Sequence, residues 1–471
     1  MHIADNDEKL SLKEKAGFAC GDFASNLFFM AFTMYGLYFY TDVFGISAAV
    51  VGSMFLLARI WDAINDPIMG LIADRTRSKW GRFRPYLLWM AIPYGIVGFA
   101  CFLVPDWGVG AKTTYAAITY ILFGMIYTAV NLPYSGLMAV ISPNSLERTK
   151  IAGFRFIGAN SGALFVALCI PLLVQFFGAE NEQYGYKVTM GLVACLATIL
   201  FFVTFATTRE RVEPPAGQSS SVLRDMSDLF RNKPCFLLFL VGLLFLGSLS
   251  VHLASVPFYF KYYVSESYEL FGWQLETQEL IGAFFTWGTM CALLGVLTTR
   301  HVVKLFGKVN AFLILMTLSS MFWFPQYFLG PDDVSTLFIL EGFSAFFAGP
   351  TPAIVFAMYA DTVDYSEMKT GRRSTGLVMS FASLGMKVGW AIGGALGGWI
   401  LAGTGYIPNQ EQTPEAIQGI RAMLGWIPAG MGLVSGALML VHPLTDKKME
   451  EVSGSLARTR GAALASAEQS P

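Results

Sequence analysis

The stretch ARIWDAINDPIMG, residues 58–70, sets Arg59, Asp62 and Asp66 inside an otherwise apolar run. Asp62 and Asp66 are four residues apart, one helical turn, so both leave the same face. Two carboxylates that close repel unless a cation or a proton lies between them. Hard oxygen ligands suit Na⁺, and a desolvated carboxyl with a raised pKa suits H⁺. The plainer reading has Asp66 capping or kinking a helix before Pro67 while Asp62 pairs with Arg59. Further upstream, CGDFASN contains Asp22, whose oxygens can accept from two sugar hydroxyls. Phe28, Phe29 and Tyr35 share its helix and can stack on a pyranose face. The alternative for Asp22 is a helix-entry carboxylate near an interface.

IYTAVNLPYSG brings Tyr127, Thr128 and Asn131 to positions i, i+1 and i+4, as neutral donors and acceptors or as groups healing a kink at Pro133. Arg155, in GFRFIGANSG, can fix Asp22, bind a sugar hydroxyl, or snorkel to an interface. Lys387, in SLGMKVGWAIGG, needs a carboxylate partner. Asp62 or Asp66 across a cavity is the natural one, and a static packing pair the alternative. Ser383, on the same span, joins the sugar-facing set. A separate constellation occupies two loops. GLIADRTRSKWGRFRP carries Asp74, Arg75, Arg77 and Arg82, and ADTVDYSEMKTGRR carries Asp361, Asp364 and Glu367. Opposite charges on equivalent loops can make a latch that closes one side; basic residues alone would only set topology.

These residues need elements that hold them in an apolar medium. The chain has 471 residues, 54% apolar, 15% aromatic and only 14% charged, with a mean hydropathy of +0.53. Soluble domains carry about 25% charge, which argues against an ordinary cytosolic enzyme. A net charge of −1 excludes a basic field for nucleic acid. The six cysteines lie scattered in apolar segments and read as packed thiols. The polar first fifteen residues show no removable signal peptide, which predicts a cytoplasmic N-terminus.

A bilayer-spanning helix needs about 20 apolar residues. Such stretches predict six spans near 16–41, 46–73, 84–104, 113–141, 153–177 and 187–207. Six more follow near 235–263, 277–299, 309–328, 334–360, 376–403 and 420–443. The reading is all-α: a six-helix half over 1–207, a cytoplasmic connector over 208–234, a second half over 235–443, and a cytoplasmic tail over 444–471. With the N-terminus inside, all but seven of the 32 lysines and arginines fall in inside segments; the seven are Arg59, Lys112, Arg155, Lys187, Lys261, Lys387 and Arg421. That asymmetry predicts both termini in the cytoplasm. Two six-helix halves around a midplane site describe a transporter. The four histidines are dispersed, and no enzyme active site emerges.

GDFASN, YTDVFGI, ARIWDAINDPIMGLIADRTRSKWGRFRP, ADTVDYSEMKTG and GYIPNQEQTP occur in an order that resembles the glycoside-pentoside-hexuronide:cation symporters, a branch of the major facilitator superfamily. The resemblance runs from about Ser11 to Lys448. It implies that Asp62 and Asp66 are the cation carboxylates, Thr128 a hydroxyl near the cation, and Lys387 the link between cation and sugar sites. Asp22, Tyr127 and Arg155 match sugar-contacting positions. Asn131 and Ser135 stand where the melibiose-transporting member has aspartate and tryptophan, a pattern more similar to the xyloside and glucuronide branches. A uronate carboxylate is better tolerated beside Asn131 than beside another aspartate. The resemblance implies a cell (inner) membrane protein that moves a sugar or glycoside inward with Na⁺ or H⁺, Li⁺ being able to use the same ligands. The alternatives are an uncoupled facilitator or exchanger, and a membrane sugar sensor that moves nothing. No cofactor and no nucleic-acid partner is expected. A bundle containing both halves of its pathway is expected to act as a monomer.

Overall fold

The computed structural model describes residues 9–179, 181–212, 233–264, 267–270, 273–370, 375–452, 454–456 and 458. The first stretch of helices is α1 (Leu12–Tyr38), α2 (Ala48–Arg75), α3 (Arg84–Trp89), α4 (Ala91–Ala100), α5 (Val109–Val140), α6 (Ser145–Gly178) and α7 (Glu182–Thr207). Then come α8 (Lys233–Tyr262), the strands β1 (Ser267–Leu270) and β2 (Trp273–Glu276), α9 (Thr277–Trp323), α10 (Val334–Ala348), α11 (Thr351–Thr370), α12 (Thr375–Gly403), α13 (Pro414–Leu424) and α14 (Trp426–Leu438). The fold is helical as expected, with one departure. The antiparallel pair β1–β2, in register from Ser267↔Glu276 to Leu270↔Trp273, lies where the sequence reading has only a loop.

Nine helices among the described residues are long and apolar enough to cross a membrane. One of them, Thr277–Phe328, covers two expected spans. Gly307 interrupts it at φ 76°, a left-handed conformation that glycine adopts without strain. The expected first span corresponds to α1, and the third is divided between α3 and α4. Twelve remains a count read from the sequence.

Side-chain and backbone bonding explain where the helices begin. Ser11 Oγ caps α1 by accepting from the Glu14 amide at 3.2 Å. Asn144 caps α6, its Oδ1 accepting from the Leu146 amide at 2.8 Å. A π-helical turn, Phe39–Val43, closes α1. Prolines sit inside α2 (Pro67), α5 (Pro133), α6 (Pro171) and α8 (Pro257). Transmembrane helices tolerate them because neighbours re-satisfy the freed carbonyls.

Compactness divides the chain into two units. The first takes in Met1–Gly217, Val256–Thr286 and Gly394–Gly419; the second takes in Gln218–Ser255, Trp287–Gly393 and Ile420–Pro471. In the first, α1 packs on α6 and α7, and α2 on α5. Helix α2 turns Leu57, Ile60, Ile64, Ile68 and Leu71 outward at helical spacing while Asp62 is buried, the division a lipid-facing helix needs. Phe28 gathers Tyr94, Phe102 and Phe123 into an aromatic core. In the second unit, Phe245, Phe312, Met316, Trp323, Met358 and Phe381 belong to the buried core.

The α1–α6 contact is close because α6 carries Gly158 and Gly162. A Cβ on Gly158 would lie 2.3 Å from the Ala19 carbonyl oxygen, and one on Gly162 2.9 Å from that of Phe23. Small residues four apart let helix backbones approach in lipid. Gly158→Leu is expected to lower the thermal unfolding midpoint and the yield of monodisperse protein in detergent. Gly153→Leu, at a position with open space beside it, should leave both close to the parent value.

Candidate functional site

The first unit gathers ionised groups of α1, α2 and α6 with neutral polar groups of α5. Asp22 of α1 is buried and receives Arg155 of α6 in a bidentate arrangement, Nε to Oδ2 at 2.6 Å and Nη2 to Oδ1 at 3.1 Å. Tyr134 of α5 donates to the same Oδ2 at 3.0 Å, and its hydroxyl lies 2.6 Å from the Phe18 carbonyl oxygen. The Arg155 guanidinium lies 4.8 Å from the centre of the Tyr134 ring, a cation–π contact. Gly21 makes this possible, since a Cβ there would meet the Tyr134 ring at 2.6 Å. Of the partners open to Arg155, the structure selects Asp22. Both oxygens of Asp22 are engaged by protein donors.

One turn along α1, Ser25 donates to Asn131 Oδ1 at 2.9 Å, and Asn131 Nδ2 donates to the Tyr127 carbonyl at 3.2 Å. Phe29 stacks on Tyr127, ring centres 6.1 Å apart. Asp22, Phe29, Tyr127, Asn131 and Arg155 therefore belong to one connected patch on three helices.

The acidic pair of α2 divides its partners. Asp62 Oδ2 takes Arg59 Nη1 at 2.7 Å, the pairing of the plainer reading. Its Oδ1 faces Gly124 of α5, where an added Cβ would stand 3.1 Å away. Asp66 Oδ1 accepts from Thr128 Oγ1 of α5 at 2.9 Å. The structure thus brings Thr128, for which the resemblance implies a place near a cation, against Asp66. A carboxylate with a hydroxyl neighbour, beside a second carboxylate whose charge an arginine offsets, forms an oxygen-rich setting for a small cation.

Lys387 and Ser383 lie on α12 in the second unit. Lys387 is half-buried, and Ser383 is exposed with Oγ donating to the Met379 carbonyl at 3.0 Å. Of the loop residues, Arg75 and Arg77 are exposed. The side chain of Asp74 lies outside the described residues. Asp361 is held by Lys308 of its own unit, Nζ to Oδ2 at 2.6 Å, while Asp364 and Glu367 are half-buried on α11.

Two clusters carry residues to which the sequence reading gave no role. Glu210 accepts from the backbone amides of Arg82, Phe83 and Arg84 at 2.9, 2.7 and 2.9 Å. The basic loop thus has an acidic mate within its own unit. The second cluster surrounds Asp42 in the π-helical turn, a carboxylate with no exposed side-chain surface. Oδ1 takes Lys261 Nζ at 3.0 Å and the Tyr262 hydroxyl. Oδ2 takes the hydroxyls of Thr41 at 2.7 Å and Tyr406 at 2.5 Å. Asn409 donates to the Asp42 carbonyl at 2.7 Å and accepts from Lys261 at 2.8 Å. YTDVFGI and GYIPNQEQTP were visible as motifs; the clue to their meeting was an acid in an apolar run and Lys261 as an outlying cation.

A family model described as MFS/sugar transport protein matches residues 17–446. The chain belongs to that family. Its sequence is 33% identical over 455 residues to the putative glycoside/cation symporter YagG of Escherichia coli K12, covering 96% of each chain. It is 32% identical over 434 residues to the isoprimeverose transporter of Lactiplantibacillus pentosus, covering 90% of this chain and 88% of that one. The fold is similar to the crystal structure of the nucleoside transporter NupG, with a TM-score of 0.63 at 14% identity, covering 91% of this chain and 98% of that one. This MFS/sugar transport protein thus keeps its family's fold around the patch of charges described above, and the family resemblance read from its motifs holds across nearly the full chain.

Breaking a buried ion pair by removing one partner costs about 3–5 kcal/mol, and removing both costs less. Asp42→Asn should therefore lower the unfolding midpoint in detergent, and Asp42→Asn with Lys261→Met should recover part of the loss. A double variant no more stable than the single one would show that Lys261 is not the charge that matters.

Proposed function

We propose that this MFS/sugar transport protein is a cation-coupled symporter that carries a glycoside inward across the cell membrane by alternating access, with both termini in the cytoplasm. The observation that carries the reading is the pairing of intramembrane carboxylates with neutral or displaceable donors: Asp66 with Thr128, and Asp62 with Arg59. Charged groups at such depth cost about 2.5–3.5 kcal/mol each on insertion scales, and a static scaffold has no need of them. A binding protein that moves nothing, or an uncoupled facilitator, would have no use for an acidic pair there.

In the proposed cycle, Na⁺ or H⁺ enters at Asp62 and Asp66 and takes over from Arg59 the task of offsetting Asp62. Thr128 supplies a neutral oxygen. Lys387 of the second unit responds to the changed charge. The sugar is bound by Asp22, Arg155, Asn131, Tyr127, Phe29 and Ser383, its hydroxyls competing for donors that Asp22 and Arg155 now spend on each other. Asn131, uncharged, leaves room for a pentoside or a uronate. The basic loop bearing Asp74, Arg75, Arg77 and Arg82 and the acidic run Asp361, Asp364 and Glu367 form the inner latch, opened as the halves rock. One chain completes the pathway. The names of the relatives support the substrate class, and the residues at Asn131 and Ser135 favour the xyloside and glucuronide branches.

Coupling free energy is reciprocal, so cation and sugar must raise each other's affinity by the same factor. Uptake of labelled β-xylosides, α-galactosides and glucuronides into inside-negative vesicles, with and without imposed Na⁺ or H⁺ gradients, tests this. Accumulation should follow one gradient and fall at least about 100-fold, an allosteric coupling lost, in Asp66→Asn. Thr128→Ala should raise the half-saturating cation concentration and leave the rate at saturation near normal. Equilibration without accumulation in every gradient would overturn coupling.

A further inference from the structure

His252 of α8 has no exposed surface, and its two ring nitrogens face different chemistry. Nδ1 lies 2.8 Å from the Leu424 carbonyl oxygen. A carbonyl can only accept, so Nδ1 carries a hydrogen. Nε2 lies 3.1 Å from Glu341 Oε2 of α10. The contact is an ion-pair approach rather than an aligned hydrogen bond, and with Nδ1 already protonated it is attractive when Nε2 carries a second proton. Without it, a nitrogen lone pair would face a carboxylate inside the protein. Glu341 Oε2 also accepts from Ser344 Oγ at 3.0 Å and from Gln326 Nε2 at 3.3 Å. The Ser344 hydroxyl is shared with the Glu341 carbonyl at 2.9 Å; an amide N–H and a hydroxyl turned to Oε2 suit a carboxylate, which places the proton on the imidazole. The pair is neutral as a whole and holds one exchangeable proton.

The surroundings are polar beyond what the pair requires. His252 Nε2 itself, together with Ser319 Oγ, Ser320 Oγ, Trp323 Nε1 and Gln326 Oε1, is a buried polar atom with no hydrogen-bond partner among the described residues. Ser319, Trp323 and Gln326 fall at i, i+4 and i+7 and share one face. That face adjoins the pair: the Trp323 and His252 rings are 5.3 Å apart, and Gln326 touches Glu341. Each such group costs about 1–3 kcal/mol when unpaired. Several together beside an ionised pair mark a place where water and a mobile proton have partners. Two other ionisable groups come near. Cys291 of α9 lies within electrostatic reach of Glu341. Arg421 of α13 is turned to the Tyr327 and Leu329 carbonyls at 3.0 and 3.3 Å.

We propose that His252 and Glu341 form a proton-binding site in the second unit, separate from the Asp62 and Asp66 pair, which loads one proton at Nε2 beside the Glu341 carboxylate and releases it to water when the helices bearing them part. The donors facing Glu341 select a proton over Na⁺, because an imidazole N–H, an amide N–H₂ and a hydroxyl already fill the oxygen a metal ion would need. On release the Nε2–H proton leaves, His252 stays as the Nδ1–H tautomer bonded to Leu424, and the negative charge remains on Glu341. The site stands on its own geometry and does not depend on sugar coupling.

Trp323 provides a readout that needs no sugar, since an imidazolium close to an indole quenches its emission. Tryptophan fluorescence of the purified protein in nanodiscs is titrated from pH 5 to 10, and the Trp323→Phe trace is subtracted to isolate Trp323 from the other nine tryptophans. The difference signal should brighten in a single-proton step as pH rises. Glu341→Gln removes the anion that holds the proton and should move the step down by about one pH unit or more. His252→Gln should abolish the step, with Glu341→Gln as the folded control should that variant misfold. No step in the parent protein, or a step unmoved by Glu341→Gln, would overturn the proposal and leave a static ion pair.

Discussion

The bond that ties Arg155 to both oxygens of Asp22 sets the terms for the rest of the first unit. A guanidinium and a carboxylate inside apolar helices are tolerable only as a geometrically good pair. That requirement fixes the separation and rotation of α1 and α6. Gly158 and Gly162 are the means, since any larger residue would hold the backbones apart. Gly21 then admits Tyr134, which completes the donor set around Asp22. The same logic repeats on α2, where Asp62 reaches Arg59 one turn back and Asp66 reaches across to Thr128. Asp22 and Asp62 are each neutralised by an arginine of the unit, while Asp66 meets a hydroxyl. Each is also held by contacts a ligand can exchange for its own.

That exchangeability separates a binding site from a structural pair. Asp42, with four side-chain donors and no exposed surface, is committed. Displacing any one donor leaves a buried anion under-satisfied, so the cluster ties the π-helical turn to the segments carrying Lys261 and Tyr406. Asp66 meets a neutral hydroxyl, Thr128 Oγ1, in its contact with α5.

Much of this was legible in the residues. Insertion cost singles out Asp22, Asp62, Asp66, Arg155 and Lys387, because charge in an apolar run is rare, and their helical spacing places Asp62 and Asp66 on one face. The helical fold also follows from hydropathy, though the loop expected between 299 and 309 is a kink at Gly307 within one helix. Pairings across long separations were another matter. Asp22 and Arg155 stand 133 residues apart and Thr128 and Asp66 62 apart, and a spacing rule reaches only one or two turns. Glu210 was invisible as a partner of the basic loop because its bonds go to backbone amides, which every residue but proline offers.

His252 shows the same limit from the other side. A lone histidine on an apolar helix reads as a packed ring, and nothing in its neighbours along the chain points to Glu341, 89 positions on. Only the folded chain brings a carbonyl to one ring nitrogen and a carboxylate to the other, and that geometry dictates a proton count that no spacing argument could supply. Intramembrane charges in this protein therefore fall into pairs with distinct chemistry. The oxygen-rich pair on α2 suits a small cation of either kind, while the nitrogen–oxygen pair between α8 and α10 suits a proton alone. Protonation of the second pair is therefore independent of which ion occupies the first, because the His252–Glu341 contacts are not shared with Asp62 and Asp66.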